Sequence, residues 1–278
     1  MKKKLAALAA LLLCSVLILT GCGSSSDSTD SSDPLADGTL TIAVDDTYLP
    51  MEYRDDNNNL VGFDIDFGEA LAEELGVKAD FKTVAWDGIF TGLTSNQYDI
   101  IISSTSITPE RQQNYSQSDA YISNGIVIVG RADYDSPVTT FEGLSGKTVG
   151  VQLETSADIA AQKLKEQYGT DVTIKQFDGM LDAFSALEGK QIDYVMTDMG
   201  VAQYYVTQKP DVFVITTPTP LTNEPIGTTA RKDEAELTTK INEAIKKLKE
   251  NGKMAEISNK WFGKDMTSDI DTTLNVIE

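Results

Sequence analysis

The sequence predicts an α/β fold of two lobes, and three observations support this prediction. Short apolar runs that read as strands alternate with stretches of helical spacing through most of the chain. The part from residue 38 onward is long for one layered core and comfortable for two domains of ordinary size. Two helix-to-strand units also end alike in polar residues, one at Ser103 and Ser104 and the other at Thr197 and Asp198.

Residues 1–21 are predicted to be a lipoprotein signal peptide. Three lysines precede an apolar run that is too short and one-sided for a membrane span. The segment ends in Leu-Thr-Gly-Cys, which resembles the lipobox of bacterial lipoproteins, so Cys22 is expected to be acylated, with palmitate among its chains. The alternative is an ordinary signal peptide followed by a stray cysteine. Because two acyl chains anchor a protein durably, we expect attachment to the extracytoplasmic face of the cell membrane.

Residues 22–37 are predicted to be a lipidated, flexible linker rich in Ser and Asp, because they have too little apolar surface to order themselves. Loss of the signal lysines takes the formal charge from −20 to −23, since 20 basic residues then face 43 acidic ones. This charge argues against nucleic-acid binding, which needs concentrated positive charge. The chain has no histidine, which excludes Ser-His and Cys-His catalytic pairs and imidazole metal sites. We expect no metal and no cofactor.

The elements of the first lobe follow from its apolar patterns. Strands are predicted at residues 41–44, 77–84 and 100–102. A helix is predicted over residues 65–75, with Asp64 as its N-cap and Gly76 at its end. The asparagines at 57–59 indicate a hairpin tip, and a second helix is predicted to begin at the N-cap Asp87.

The second lobe alternates strands with helices, and the chain then returns to the first lobe. Strands are predicted at residues 147–151, 172–177, 192–196 and 212–216, and helices near 156–168, 179–188 and 199–207. The tail is predicted to be helical at 233–251 and 254–262. Crossings near 124–131 and 220–230 would form a double hinge suited to opening and closing. Lobe 1 is therefore expected to comprise 38–126 and 224–278, and lobe 2 to comprise 127–223.

The segment 86–111 gives the strongest indication of a ligand site. Small polar residues follow its strand, then Thr108 as a predicted N-cap and Pro109 at the first helical position. Arg111 would lie near a helix N-terminus, where its guanidinium and free backbone N–H groups together favour an anion. An exposed surface arginine is the alternative. Because α/β sheets bind ligands beyond the carboxyl ends of their strands, two facing sheets would bring together Asp45, Ser103, Ser104, Gln152 and Asp198.

Ordered motifs in the chain resemble the solute-binding proteins of polar amino-acid ABC importers, solute-binding protein family 3. The motifs are GFDIDFGEALAEELG at 62–76, WDGIF at 86–90, YDIIISSTSITPERQQ at 98–113, KTVGVQ at 147–152 and DYVMTD at 193–198. The resemblance covers nearly all of residues 38–265. It implies the type II periplasmic-binding fold, in which two Rossmann-like lobes are joined by a double-crossover hinge.

The resemblance also implies a role for each of eleven ligand-binding residues. Arg111 would hold the α-carboxylate, helped by backbone N–H groups of Ser106, Thr155 and Ser156. The α-ammonium would contact Asp198 and Ser104. Two aromatic residues, Tyr48 and Trp86, would sandwich the ligand side chain. The far end of that side chain would approach Asp45, Ser103 and Gln152.

Several positions have other readings or depart from the family pattern. From the residues alone, Tyr48 and Trp86 read as core residues and Asp198 as a helix N-cap, while Glu52 reads as a solvated hairpin carboxylate. The family usually carries other residues at three positions of this chain, Gln117, Ala120 and Glu154. Packing behind Arg111 is therefore open, and Glu154 would disturb an anion site unless it points outward.

Two classes of function are consistent with this pattern. The first is a receptor that binds a polar amino acid, with a basic one among the candidates, between closing lobes and delivers it to an ABC permease with its ATPase subunits. The second is an enzyme on the same fold, such as a cyclohexadienyl, prephenate or arogenate dehydratase-like lyase or a module of a lytic transglycosylase. We favour the receptor, as a membrane-anchored monomer that is not an enzyme, because the carboxylates that can be placed are explained by an ammonium partner.

Overall fold

The computed structural model describes residues 34–277, which include two five-stranded sheets and a smaller three-stranded sheet. The strands are β1 (Thr39–Val44), β2 (Thr47–Tyr48), β3 (Glu52–Arg54), β4 (Leu60–Val61), β5 (Lys78–Thr83), β6 (Ile100–Ile101), β7 (Ser116–Gln117), β8 (Ile126–Arg131), β9 (Thr148–Gln152), β10 (Thr173–Phe177), β11 (Tyr194–Asp198), β12 (Phe213–Ile215) and β13 (Thr229–Ala230). The helices are α1 (Phe63–Leu75), α2 (Trp86–Thr94), α3 (Pro109–Asn114), α4 (Ser156–Tyr168), α5 (Met180–Glu188), α6 (Met199–Gln208), α7 (Ala235–Glu250) and α8 (Lys253–Phe262), with a 3₁₀ turn at Glu142–Leu144. The predicted α/β class is confirmed.

The first large sheet has the strand order β5-β1-β6-β13-β7, and the second has the order β10-β9-β11-β8-β12. In each sheet three neighbouring strands are parallel, and the strand next to them is antiparallel. The first sheet takes β13 from the far end of the chain, whereas the second is built from one continuous stretch. The chain therefore passes between the sheets twice.

Each large sheet is covered by apolar side chains on both faces, as a mainly parallel sheet requires. On the first sheet, one face belongs to a large core cluster with α1, α7 and α8, and the other face packs against α2 through Trp86, Ile89 and Leu93. On the second sheet, α4 covers one face through Ala160 and Ala161. None of the helices in the described part of the chain is both long and apolar enough to cross a bilayer.

Most predicted elements are present, but two predicted helix caps are wrong. α1 begins two residues earlier, after Gly62, and Asp64 is not its cap, because the Asp64 carboxylate accepts hydrogen bonds from Ser104 and Tyr121 instead. α2 begins after Ala85, and Asp87 lies in its first turn. By contrast, Gly76 ends α1 in the left-handed conformation with φ 75°, as predicted.

The segment predicted as the first crossing is mostly a strand. Residues 126–131 form β8, which pairs antiparallel with β11 and β12 in the second sheet. The passage between the sheets is correspondingly short. The first passage, residues 118–125, connects β7 to β8, and the second passage, residues 216–228, connects β12 to β13. Two antiparallel contacts join these passages: Glu224 N donates to Asn124 O at 3.0 Å, and Ile226 N donates to Ile122 O at 3.0 Å. The lobe boundaries at 126/127 and 223/224 stay a prediction.

The C-terminal tail runs back over the second passage. Asn223 and Asn275 exchange two backbone hydrogen bonds, of 2.9 and 3.1 Å, and Ile277 packs against the apolar cluster of the second sheet. At the other end of the described chain, residues 34–37 form a turn in which Leu35 packs against the core, so this part of the predicted linker is structured. The signal peptide and Cys22 lie outside the described residues.

Candidate functional site

The structure brings all eleven predicted ligand-binding residues to one cavity of about 330 Å³, which is partly open to solvent. The cavity is lined by Asp45, Tyr48, Glu52, Trp86, Ser103, Ser104, Ser106, Arg111, Gln152, Thr155, Ser156, Ala157 and Asp198. Sequence reasoning missed two of these, Glu52 and Ala157. The role of each residue toward a ligand stays a prediction.

The cavity lies at strand ends because of the parallel topology. Asp45 follows β1 directly, Ser103 follows β6 by two residues, and Gln152 and Asp198 are the last residues of β9 and β11. The carboxyl ends of parallel strands point to one edge of a sheet, where loops are free to carry polar groups. Each large sheet therefore contributes a row of polar side chains to the same cavity.

Arg111 forms the cationic end of the cavity. Thr108 caps α3 by accepting a hydrogen bond from Arg111 N at 3.2 Å, and Pro109 occupies the first turn, as predicted. The guanidinium donates through Nη1 to Ser106 O at 3.1 Å and lies over the rings of Trp86 and Phe90, at 5.7 and 5.2 Å from their centroids. Burial lowers the pKa of Arg111, but an arginine in a protein stays charged.

Gln117 supports this end from behind, at a position where the chain departs from the family pattern. Its side chain donates to Ser106 O at 3.2 Å and to Thr229 Oγ1 at 3.3 Å, so it shares the Ser106 carbonyl with Arg111. Ala120, three residues further along the chain, is buried, with 5% of its surface exposed. The Gln117 amide thereby helps to fix the position of the Ser106 carbonyl.

The start of α4 faces the same end. Thr155 caps the helix by accepting from Asp158 N at 3.2 Å, and the hydroxyl oxygens of Ser156 and Ser106 are 3.2 Å apart. The backbone N–H of Thr155 is already used in a long bond to Gln152 O, at 3.4 Å. Glu154 is exposed and has a left-handed backbone with φ 60°, a conformation that glycine adopts without strain.

Asp198 forms the anionic end. It is 6% exposed and accepts two hydrogen bonds of 2.7 Å, one from Tyr48 OH and one from Asn124 Nδ2. Burial raises the pKa of Asp198, and these two donors and Arg111 oppose that rise. Asp198 occupies the N-cap position of α6 but makes no capping bond; instead Asn124 Oδ1 accepts from Met199 N at 3.3 Å. Its carboxylate is thus left to face the cavity.

The far end of the cavity contains a chain of hydrogen bonds between acids and hydroxyls. Gln152 Nε2 donates to Asp45 Oδ2 at 2.6 Å, and Asp45 N donates to Ser103 Oγ at 3.0 Å. Ser103 Oγ in turn donates to Glu52 Oε1 at 2.6 Å. Burial raises the pKa of Asp45. These contacts position two carboxyl groups side by side at this end.

Glu52 is the main correction to the sequence interpretation. It is not solvated: its exposure is 0%, and Oε2 has no hydrogen-bond partner among the described residues. Burial, and then the neighbouring carboxyl of Asp64, raise the pKa of Glu52. The pKa of Asp64 is raised to about 6, also mainly by burial. Glu52 pairs with Tyr48 across β2 and β3, so the register of the hairpin could have indicated that both face the cavity.

The hydroxyls of Ser103 and Ser104 donate to different acids, Glu52 for Ser103 and Asp64 for Ser104. Ser104 donates to Asp64 from its backbone N at 2.7 Å and from Oγ at 3.2 Å, and its backbone is left-handed with φ 46°. Trp86 lines the wall at 7% exposure, and its Nε1 has no hydrogen-bond partner among the described residues. The donors of Ser104 are therefore used by Asp64, whereas the Trp86 N–H has no acceptor among the described residues.

Known proteins resemble the chain over most of its length. The family model of bacterial extracellular solute-binding proteins, family 3, matches residues 40–264. The L-cystine-binding protein TcyJ of Escherichia coli is 30% identical over 230 residues, which are 83% of this chain and 85% of that protein.

Two solved structures are similar in fold as well as in sequence. An ancestral arginine-binding protein bound to arginine has a TM-score of 0.76 and 39% identity, over 81% of this chain and 99% of that one. The ancestral amino acid-binding protein AncCDT-1, described as a precursor of cyclohexadienyl dehydratase, has a TM-score of 0.73 and 34% identity, over 81% and 96%. With a family match across nearly all of the described fold, the chain belongs to the bacterial extracellular solute-binding proteins of family 3.

Proposed function

We propose that this protein is the substrate-binding component of an ABC importer and binds one amino acid between its two lobes. The observation that carries the proposal is the pair of opposite charges in one cavity, Arg111 from the first sheet's side and Asp198 from the second sheet. A zwitterion that leaves water needs a partner for each of its charges. The guanidinium suits a carboxylate, which it can bind with two parallel hydrogen bonds, and Asp198 suits an ammonium group.

The position of these two residues also gives a mechanism for closure. A ligand held by both sheets interacts with both only when they are close together, so its binding energy favours the closed arrangement. The two chain passages would act as the hinge. The closed form would then be the one that the permease recognises.

The acids at the far end of the cavity favour a polar ligand side chain with several N–H donors, and a cationic one most of all. Asp45 and Glu52 lie there together, and among residues 34–277 Glu52 Oε2 accepts no hydrogen bond. Carboxylates bind cations and amides alike, and cations more strongly. Two relatives carry names that fit this chemistry, one for L-cystine and one for arginine.

We further propose that Cys22 carries the lipid anchor and that the mature protein works as a monomer on the extracytoplasmic face of the membrane. The Leu-Thr-Gly-Cys sequence supports the anchor. The partners would be a membrane permease and its ATPase subunits. Mass spectrometry of the membrane-extracted protein would test this: a diacylated N-terminal cysteine is expected, and an unmodified Cys22 in the secreted protein would contradict it.

An enzyme of the cyclohexadienyl dehydratase type is the competing function, and the likeness to AncCDT-1 keeps it open. A buried acid with a raised pKa, such as Glu52, is the kind of group that donates a proton to a leaving group in such an enzyme. The receptor is favoured because each charged group of the cavity has a partner in a bound amino acid. Incubation with prephenate and arogenate separates the two functions: a receptor leaves them chemically unchanged.

The proposal is tested by a thermal-shift panel of the common amino acids on the wild type and on Arg111→Ala. A ligand at 100 times its Kd stabilises a protein by about 2.7 kcal/mol, which gives a clear rise in Tm. We expect L-arginine to be among the amino acids that raise Tm, and Arg111→Ala to abolish every rise. Arg54→Ala is the matched control, because Arg54 is exposed and pairs with Asp46 at 2.7 Å outside the cavity. Retained binding in Arg111→Ala would refute the assignment.

A further inference from the structure

The second passage between the sheets carries a buried acid, Glu224, that the proposed binding scheme does not use. Its exposure is 0%, and neither carboxyl oxygen has a hydrogen-bond partner of normal geometry among the described residues. An ionised carboxylate in such a place is costly because it has lost its hydration. Burial accordingly raises the pKa of Glu224 above its ordinary value.

Glu224 lies close to the groups that would bind the ligand's two charges. Arg111 and the Ser156 hydroxyl are near enough to oppose the rise in its pKa, as is Thr222 on the same segment, whereas Asp198 adds to the rise. The backbone of Glu224 is fixed by its 3.0 Å bond to Asn124 O. The acid is thus held in place behind the cavity, with its carboxyl group facing the Ser156 and Thr222 hydroxyls.

Ser156 connects Glu224 to the carboxylate end of the cavity. Ser156 Oγ is 3.2 Å from Ser106 Oγ, and Arg111 donates to Ser106 O at 3.1 Å. A serine hydroxyl has one proton to donate. If Glu224 is ionised, it attracts that proton and Ser156 turns lone pairs toward the cavity. If Glu224 is neutral, it can donate to Ser156, and the Ser156 proton is free for an incoming carboxylate.

We propose that Glu224 takes up one proton from solvent when a carboxylate occupies the space in front of Arg111, and that it thereby positions the Ser156 hydroxyl to donate to that carboxylate. This inference rests on the proposed function. The proton binds to a carboxyl oxygen of Glu224, and no other covalent bond changes. Two carboxylates that share a small dry space cannot both stay ionised without a large penalty, which is the physical reason for the uptake.

Proton uptake makes affinity depend on pH in a defined direction. One coupled proton changes the association constant by at most about tenfold per pH unit, and affinity rises as pH falls. Asp198 acts with the opposite sign, because its protonation removes the ammonium partner. Burial also raises the pKa values of Asp45, Glu52 and Asp64. The contribution of Glu224 must therefore be isolated by substitution.

The experiment is isothermal titration calorimetry with L-arginine. If L-arginine does not bind, the amino acid that raises Tm most in the thermal-shift panel is used instead. Each titration is done at pH 6, 7 and 8 in PIPES and in imidazole, which differ in their heat of ionisation. For the wild type we expect a binding heat that depends on the buffer and shows proton uptake. For Glu224→Gln, which cannot ionise, we expect retained binding and a proton count that is lower than that of the wild type by the contribution of Glu224, at most one proton. Glu224→Met serves the same purpose if the amide variant does not fold.

Glu110→Gln is the control for a charge effect acting through space, because Glu110 is an exposed acid beside Arg111 on α3. It should keep the wild-type proton count. If the amino acid binds and the wild type and Glu224→Gln show equal proton counts, the inference fails and the proposed function stands. If no amino acid of the panel binds the wild type, the proposed function itself fails.

Discussion

The Tyr48 hydroxyl donates a 2.7 Å hydrogen bond to Asp198 Oδ2, and the two residues belong to different sheets. Tyr48 is in the small three-stranded sheet, and Asp198 ends β11 of the second large sheet. The bond crosses the cavity, and both groups are buried. A residue predicted only as an aromatic wall is therefore also a partner of the acid proposed to bind the ammonium group.

Tyr48→Phe removes this bond and should lower both stability and affinity. A hydrogen bond to a charged group contributes about 1.5–3 kcal/mol, so we expect a measurable fall in Tm. Because Asp198 loses a donor that opposes its raised pKa, amino-acid affinity should fall more at pH 6 than at pH 8. Tyr205→Phe is the control, since its hydroxyl has no partner among the described residues. Equal losses at the two pH values would contradict the explanation.

Glu52→Gln should stabilise the unliganded protein at high pH. The folded-state pKa values of Glu52 and Asp64 are raised, to about 6 for Asp64. Their protonated forms therefore stabilise the fold below the unfolded pKa, and that contribution is lost as pH rises through the folded pKa. Thermal unfolding should show a higher Tm for Glu52→Gln at pH 8 and no difference near pH 4.5.

The exposed glutamate Glu69, on α1, provides the comparison for that experiment. Glu69→Gln should leave the difference in Tm between pH 4.5 and pH 8 as it is in the wild type. A Glu52→Gln variant with the same pH profile as the wild type would mean that Glu52 is hydrated in solution.

Asp45→Asn should change which amino acids bind. The variant keeps the size of the side chain and one of the two oxygens that now accept hydrogen bonds from Gln152 and Thr47. It loses the charge that favours a cation. Affinity for L-arginine should fall by about tenfold to a hundredfold, which corresponds to about 1.4–2.8 kcal/mol, and L-glutamine binding should change little.

Calorimetry with both amino acids measures that ratio. Asp46→Asn is the matched control, because Asp46 is the next residue and pairs with Arg54 at 2.7 Å. An unchanged preference in Asp45→Asn would place the ligand side chain elsewhere in the cavity.

Gly62→Ala tests the close approach that positions α1. Gly62 has φ 148°, and a Cβ there would lie 2.0 Å from the carbonyl oxygen of Met51. Because backbone cannot move away as a flexible side chain does, we expect a loss of about 3 kcal/mol or more in the free energy of unfolding. Gly38→Ala also has positive φ, 78°, but meets nothing within 4 Å, and should cost about 1–2 kcal/mol. Urea unfolding compares the two.

The sequence was sufficient for the residues that follow strands. Ser103, Gln152 and Asp198 were predicted together because parallel strands end at one edge, and this follows from the order of elements alone. Arg111 was predicted from local signals, since the Thr108 cap and Pro109 fix the start of α3. Neither prediction depends on knowing which distant side chains are in contact.

Other features depend on contacts between distant segments. Glu52 is buried where its hairpin folds back against Ser103, which follows β6. The Asp64 carboxylate accepts hydrogen bonds from Ser104 and Tyr121 instead of capping its own helix. The residues of β8 read as a connection because a buried strand that pairs antiparallel has no distinctive period. No local sequence pattern indicates that Glu224 is buried, since it lies in the irregular second passage between the sheets.

The tail that pairs Asn275 with Asn223 leaves the chain's last described residues against the second sheet, although α7 and α8 before it pack on the first. Leu35, near the other end of the described chain, lies four residues before β1 of the first sheet and packs against the core. Fluorophores attached close to these two ends would therefore lie on different halves of the molecule. Energy transfer between them would report ligand-driven closure directly, with no label placed in the cavity.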